Sequence, residues 1–203
     1  MVYKFDPMYF NGTIFDLDDT CVMAKGWAQL SSDRIPASYF PKSLVFTAAS
    51  AKLPDMFHMS RGFFVFSERA RVVVEHWAPG QLEFIPVAYH AKPKVAATLD
   101  FAHAYYFINV LGRAQRMQWR STPSYKIYTR DDGTELFMPL PGLDKWELRE
   151  RAPGEPLIWR DTPWRDGNKE YGCQSDPFIE DILWRELDAN FPDQLHALRV
   201  GGD

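Results

Sequence analysis

Apolar positions along the chain switch between two spacings, and the switches mark out its elements. Phe63 to Phe66 form an unbroken apolar run of strand length, after which Ala70, Val73, Val74 and Trp77 recur at helical spacings of 3, 4 and 7. Ser67 stands at the junction as a helix cap with Glu68 in the first turn, and Pro79-Gly80 supplies the stop. This stretch predicts a strand running directly into a helix. "QLEFIPVAY" (81–89) predicts another strand, and Pro86 inside it predicts an edge or a bulge, because proline cannot donate to a ladder. "AYYFINVLG" (104–112) is a dense apolar run that predicts the centre of a sheet.

The second half reads in shorter pieces. "SYKIYTRDDGTELFMPL" (124–140) predicts a hairpin turning at Asp131-Asp132-Gly133-Thr134, since Asp and Gly tolerate the backbone angles tight turns need. "PLIWRDT" (156–162) predicts a short strand, and a polar, glycine-containing loop is expected from Trp164 to Gly172. "SDPFIEDILWRELDANFP" (175–192) predicts a helix. Ser175 or Asp176 would cap it, Pro177 would sit in the first turn, Phe178, Ile179, Ile182, Leu183 and Leu187 would share one side, and Pro192 would end it. "LHALRV" (195–200) is read as a last strand.

Strands with two or three helices in no regular alternation predict an α+β fold. The expectation is a mixed or mainly antiparallel sheet with two or three packed helices, forming a single domain over residues 1–203, of which 1–52 is the least legible part.

Composition changes this picture in three places. Aromatics make up 15% of the chain, including 7 Trp, which leaves two uses open: an aromatic-rich core and a partner-facing surface. Cys21 and Cys173 are far apart without metal-ligand spacing, so free thiols are expected, with no disulfide framework, metal or cofactor. Residues 130–190 hold 15 Asp and Glu against 8 Lys and Arg, whereas residues 1–129 hold 10 against 14. An acidic latter half argues against nucleic acid as a partner and suits either a basic partner or a solvated acidic face. The opening residues carry no basic head with an apolar stretch behind it, and no apolar run approaches the roughly 18 residues of a membrane span. A cytoplasmic protein with no membrane partner is expected.

Candidate chemistry is sparse. Asp16, Asp18 and Thr20 in "GTIFDLDDTCV" (12–22) have the order D-x-D-x-T and resemble the first motif of the haloacid-dehalogenase phosphatases. That resemblance implies a nucleophilic Asp, an acid–base Asp and a magnesium ion. It also calls for a later Ser or Thr, a Lys and an acidic pair, for which Thr47, Lys92 or Lys94, and Asp131 with Asp132 are the candidates by position. Read on their own, Asp16, Asp18 and Asp19 make a polar turn after a short strand. His58, His76, His90, His103 and His196 show no ligand spacing.

A longer likeness lies elsewhere. The chain carries an L-P-D-hydrophobic-F step at Leu53–Phe57, a V-F-S-E-R-A passage at Val65–Ala70, an F-x-P-V strand at Phe84–Val87 and a Y-Y-hydrophobic-hydrophobic-N-V strand at Tyr105–Val110. With "PLIWRD" (156–161) and the closing segment 175–200, these resemble the immunity proteins of bacterial polymorphic toxin systems, specifically group eleven, formerly a domain of unknown function. The likeness spans roughly residues 53 to 200, and "TPWRDGNKEYGCQ" (162–174) is longer than the corresponding loop of that group. The resemblance implies a non-enzymatic cytosolic protein, with no catalytic residue, that binds and neutralises a cognate protein toxin. Trp159, Asp161, Trp164, Asp166 and Tyr171 are the candidate toxin-binding residues, because aromatics beside acids suit an Arg- and Lys-rich surface. The same segment could instead fold onto its own domain with Trp159 in a core strand. A third reading is a small-molecule binder or scaffold whose aromatics line a pocket.

Overall fold

The computed structural model describes residues 1–10, 13–16, 36, 40–41, 43–47, 53–59, 63–96, 104–172 and 177–201. Three sheets and three α-helices make up the regular structure of these residues, a strand-rich mixed fold consistent with α+β. The single sheet expected from the sequence is replaced by three.

The first sheet has six strands in the order β2 (Thr13–Asp16), β3 (Ser43–Phe46), β6 (Leu82–Ala91), β7 (Tyr105–Val110), β5 (Phe64–Ser67) and β4 (Met56–His58). All neighbours are antiparallel except β3 and β6. Strand alternation divides its side chains between two cores. Met56, Phe64, Phe66, Ile108 and Val110 enter one, and Phe57, Val65, Tyr105 and Phe107 enter the other. Strand β5 runs into helix α1 (Glu68–Trp77), and Ser67 caps that helix by accepting from the Ala70 N–H at 3.2 Å. Ala70 and Val74 are the helix's buried contacts.

Pro86 does not put β6 on an edge. The residues of β6 that pair with β3 begin at Ala88, so at Pro86 the missing donor faces no strand on that side.

The second sheet has five strands in the order β15 (Arg199–Val200), β1 (Val2–Lys4), β14 (Phe178–Glu180), β11 (Ile158–Asp161) and β8 (Arg113–Ala114). Here the expected helix start is displaced. Phe178–Glu180 is a strand between β1 and β11, and helix α3 covers only Asp181–Asn190. Pairing on both sides buries Phe178 and Ile179 completely, a tertiary gain that outweighs local helical spacing. Ile182, expected on the apolar face, is exposed, while Leu183 and Leu187 pack inward beside α1. The proposed caps Ser175 and Asp176 lie outside the described residues.

The third sheet has four strands in the order β12 (Trp164–Asp166), β13 (Lys169–Tyr171), β10 (Glu135–Pro139) and β9 (Ser124–Thr129). The hairpin of β9 and β10 turns where the sequence places it, with Asp132 accepting from the Thr134 N–H at 2.8 Å and Gly133 at φ 82°. The expected loop at Trp164–Gly172 is instead a second hairpin, closed at Gly167 with φ 59°. A short helix α2 (Pro93–Ala96) and a 3-10 turn at Leu143–Lys145 complete the elements. No helix among the described residues is long and apolar enough to cross a membrane.

One seam ties the first two sheets together. The Gln81 carbonyl accepts from Leu111 and Gly112 while its side-chain oxygen accepts from Leu157 at 2.7 Å and Ile158 at 3.1 Å. Gly112 in turn accepts from Arg160, and a Cβ there would stand 2.0 Å from the Ile158 carbonyl oxygen. Only glycine permits this approach. Gly112→Ala should therefore cost about 3 kcal/mol in urea unfolding. A loss below about 1 kcal/mol would show that the seam yields freely.

Candidate interaction surface

The five residues singled out from the sequence separate into three environments. Trp159 and Asp161 are both 0% exposed on β11, and so present nothing to a partner. Trp159 stacks on Phe178 with ring centroids 5.5 Å apart, and the Arg116 guanidinium covers its ring at 4.3 Å. Trp164 and Tyr171 are half-buried and lie against each other at 5.0 Å, with Phe137 and Trp119 also packed on Tyr171. Asp166 is exposed at the β12–β13 turn. The segment thus folds largely onto its own protein.

Asp161 has a structural task. Its carboxylate accepts from the Arg116 N–H at 3.0 Å and the Met117 N–H at 2.8 Å, two donors of a chain segment that no strand of its own sheet satisfies there. Arg116 is itself ion-paired to Glu180 and donates to the Arg149 carbonyl. Burial pushes the Asp161 carboxyl up to about 6, although the two backbone donors pull the other way. Nearby, hydrogen bonds from Arg149 hold Glu155 down at about 2.

The four-stranded sheet has two unlike faces, because residues paired across strands point to the same side. Trp164, Tyr171 and Phe137 share the face that packs on Trp119. Arg165, Glu170, Leu136 and Tyr128 share the other, with Met138 and Tyr125 further along it. A bulge at Ile127 makes this possible, since Leu136 pairs with Tyr128 but Phe137 pairs with Lys126. Two tyrosines three residues apart therefore emerge side by side, 45% and 48% exposed, over half-buried Leu136 and Met138.

At the end of this face Glu170 is clasped by two guanidiniums, Arg130 at 2.7 Å and Arg165 at 2.6 Å. Burial alone would push the Glu170 carboxyl up, but the hydrogen bonds from Arg130 and Arg165 outweigh it and hold it below the usual range. These residues were not singled out from the sequence. The available signal was the aromatic pair in "SYKIYT", masked because strict alternation sets Tyr125 and Tyr128 on opposite faces.

Part of the acidity of residues 130–190 is neutralised within the fold. Glu135, Glu155, Glu170, Glu180 and Asp181 are ion-paired to Lys126, Arg149, Arg130 with Arg165, Arg116 and Arg185, and Asp161 is buried.

Two cavities open beside the buried cluster of Val2, Met117, Trp119, Trp146, Trp159 and Phe178. One, of about 370 Å³, is walled by Val2, Trp146, Leu148, Arg149 and Arg199, and the other, of about 320 Å³, by Met117, Trp119, Arg120 and Trp164. Gln118 borders both.

The phosphatase residues are dispersed. Asp16 ends β2, an edge strand antiparallel to β3, whereas a doubly wound phosphatase carries its nucleophile after a parallel strand. Asp131 and Asp132 form a turn in a different sheet, Thr47 follows β3, and Lys92 and Lys94 lie at α2. Asp18, Asp19, Thr20, Cys21, Cys173 and His103 lie outside the described residues. Among the described residues no group of three or more His, Cys, Asp or Glu could hold a metal ion.

Comparison with models of known protein families and with curated proteins finds no match to the chain.

The buried carboxylate makes a pH prediction. Because the folded state raises the Asp161 pKa above its ordinary 3.8, it binds the proton more tightly than the unfolded chain does. Its contribution to stability therefore falls as pH rises from about 4 through about 6, by about 3 kcal/mol in all. Asp161→Asn keeps an acceptor for both N–H groups and removes the titration. Subtracting the variant's pH–stability curve from that of the wild type should leave this slope, and parallel curves would contradict it.

Proposed function

We propose that the chain is a non-enzymatic immunity protein of the polymorphic-toxin type, which binds a cognate protein toxin and blocks it in the cytosol. The observation that carries this reading is the solvent-facing side of the four-stranded sheet. Tyr125 and Tyr128 stand exposed over Leu136 and Met138, beside the Arg130–Glu170–Arg165 cluster. Tyrosine and arginine on a rigid apolar floor are the residue types that dominate protein–protein hot spots.

The resemblance to group eleven supports the reading from another side, because its motif residues act as parts of one scaffold. The L-P-D step and the S-E-R-A passage are joined where Ser67 Oγ donates to Asp55 at 2.6 Å and Arg69 donates to its other oxygen at 3.2 Å. The F-x-P-V and Y-Y-x-x-N-V strands are direct neighbours, with Phe84 opposite Ile108 and Pro86 opposite Tyr106. Such a scaffold suits inhibition by docking, in which the inhibitor supplies shape and anchors and performs no chemistry. Some acids of residues 130–190 are paired or buried, while others such as Asp144, Glu147, Glu150 and Asp166 are exposed and would suit a basic toxin surface. The proposal therefore leaves the toxin's charge open.

Co-expression with the toxin domain encoded beside the gene tests the reading. The wild type and Asp16→Asn should rescue growth equally and co-purify with the toxin, whereas Tyr125→Ala with Tyr128→Ala should weaken the complex at least about ten-fold. Magnesium-dependent phosphatase activity that vanishes in Asp16→Asn, with no complex, would overturn it.

A further inference from the structure

The cavity of about 320 Å³ has a lining unlike the rest of the surface. Trp119 and Trp164 supply aromatic walls and Met117 an adaptable apolar one. Gln115, Gln118 and Ser121 add neutral hydrogen-bonding groups. Among the described residues Arg120 is the only charged one that lines it.

Arg120 differs from five of the other guanidiniums of this half of the chain. Arg116, Arg130, Arg149, Arg165 and Arg185 each hold a carboxylate. Arg120 is exposed and has no acidic partner among the described residues, and its guanidinium is steadied 5.7 Å over the Trp164 ring. A cation held at the mouth of an aromatic-walled cleft, with no carboxylate in the lining, is complementary to an anion. The flat rings select what the anion is attached to, because stacking favours a planar apolar body.

Two other features carry less. The open edge of β9 is blunted by the Ile127 bulge and by Lys126, the devices that discourage strand addition. In the larger cavity Arg116 and Arg149 are already committed to Glu180 and Glu155.

We propose that the cleft between Trp119, Trp164 and Arg120 binds an aromatic carboxylate, with the ring against the indoles and the carboxylate on the Arg120 guanidinium. The volume, at the lower end of ligand-binding cavities, admits one small ring with a short acidic arm. The site lies on the face of the four-stranded sheet opposite Tyr125 and Tyr128, so its occupancy is independent of toxin docking there.

The test uses three probes of one shape on the full chain: phenylacetate, the neutral phenylacetamide and the cation phenethylamine. Binding is followed by the indole N–H resonances of Trp119 and Trp164. Phenylacetate should bind at least about ten-fold more tightly than phenylacetamide, and phenethylamine most weakly. Arg120→Gln should erase the preference for phenylacetate; because Arg120 is exposed and, among the described residues, touches other elements only through the Trp164 ring, the variant should keep its fold. Trp164→Leu should weaken phenylacetate and phenylacetamide alike. A pentapeptide ending in phenylalanine, with its carboxylate free or amidated, distinguishes a chain terminus from a free acid as the source. Equal binding of the three probes, or a charge preference unchanged in Arg120→Gln, would overturn the assignment.

Discussion

The buried carboxylate of Asp161 fixes the passage of the chain from the five-stranded sheet to the four-stranded one. It sits at the end of β11, inside the five-stranded sheet, and holds the backbone of Arg116 and Met117 as that chain leaves β8. From there the chain continues through Trp119 into β9, and from Asp161 itself it continues into β12. Both routes into the four-stranded sheet therefore start at one buried carboxylate. Two directed backbone donors and the nearby Arg116 guanidinium offset part of the cost of burial, which still raises the carboxyl to about 6.

The seam above Asp161 extends the same logic. Gln81 satisfies four backbone donors from two segments, and Gly112 lets β11 approach more closely than a side chain would allow. The result joins a hydrophobic base, built from the first two sheets and helices α1 and α3, to a smaller sheet that keeps one face on Trp119 and turns the other to solvent. A packed base with a projecting aromatic face would suit the proposed binding role, since affinity would not be spent on ordering the surface.

Local signals made much of the base legible. The passage from Phe64 through Ser67 into α1 was readable because strand run, cap and helical spacing agree there, and the β9–β10 turn was readable because Asp132 and Gly133 carry its chemistry. The illegible parts are those decided by distant partners. Phe178 and Ile179 have helical spacing with Leu183 and Leu187, yet β1 and β11 claim them as a strand. The surface was hidden for a related reason. Trp159 and Asp161 look like a hot spot in the sequence and prove to be core, whereas one bulge residue, Ile127, brings Tyr125 and Tyr128 onto a common face that alternation would deny them. Arg130 and Arg165 meet only through Glu170, a contact between two hairpins that no spacing encodes.

Hydrogen exchange of the chain alone and with the proposed toxin partner, sought in the product of the neighbouring gene, tests the proposal most directly, because it reports which backbone a partner covers. The expected result is slowing by about ten-fold or more across residues 124–139, with the six-stranded sheet and α1 unchanged. Slowing confined to the six-stranded sheet, or none in the four-stranded one, would contradict a function carried by the Tyr125–Tyr128 face.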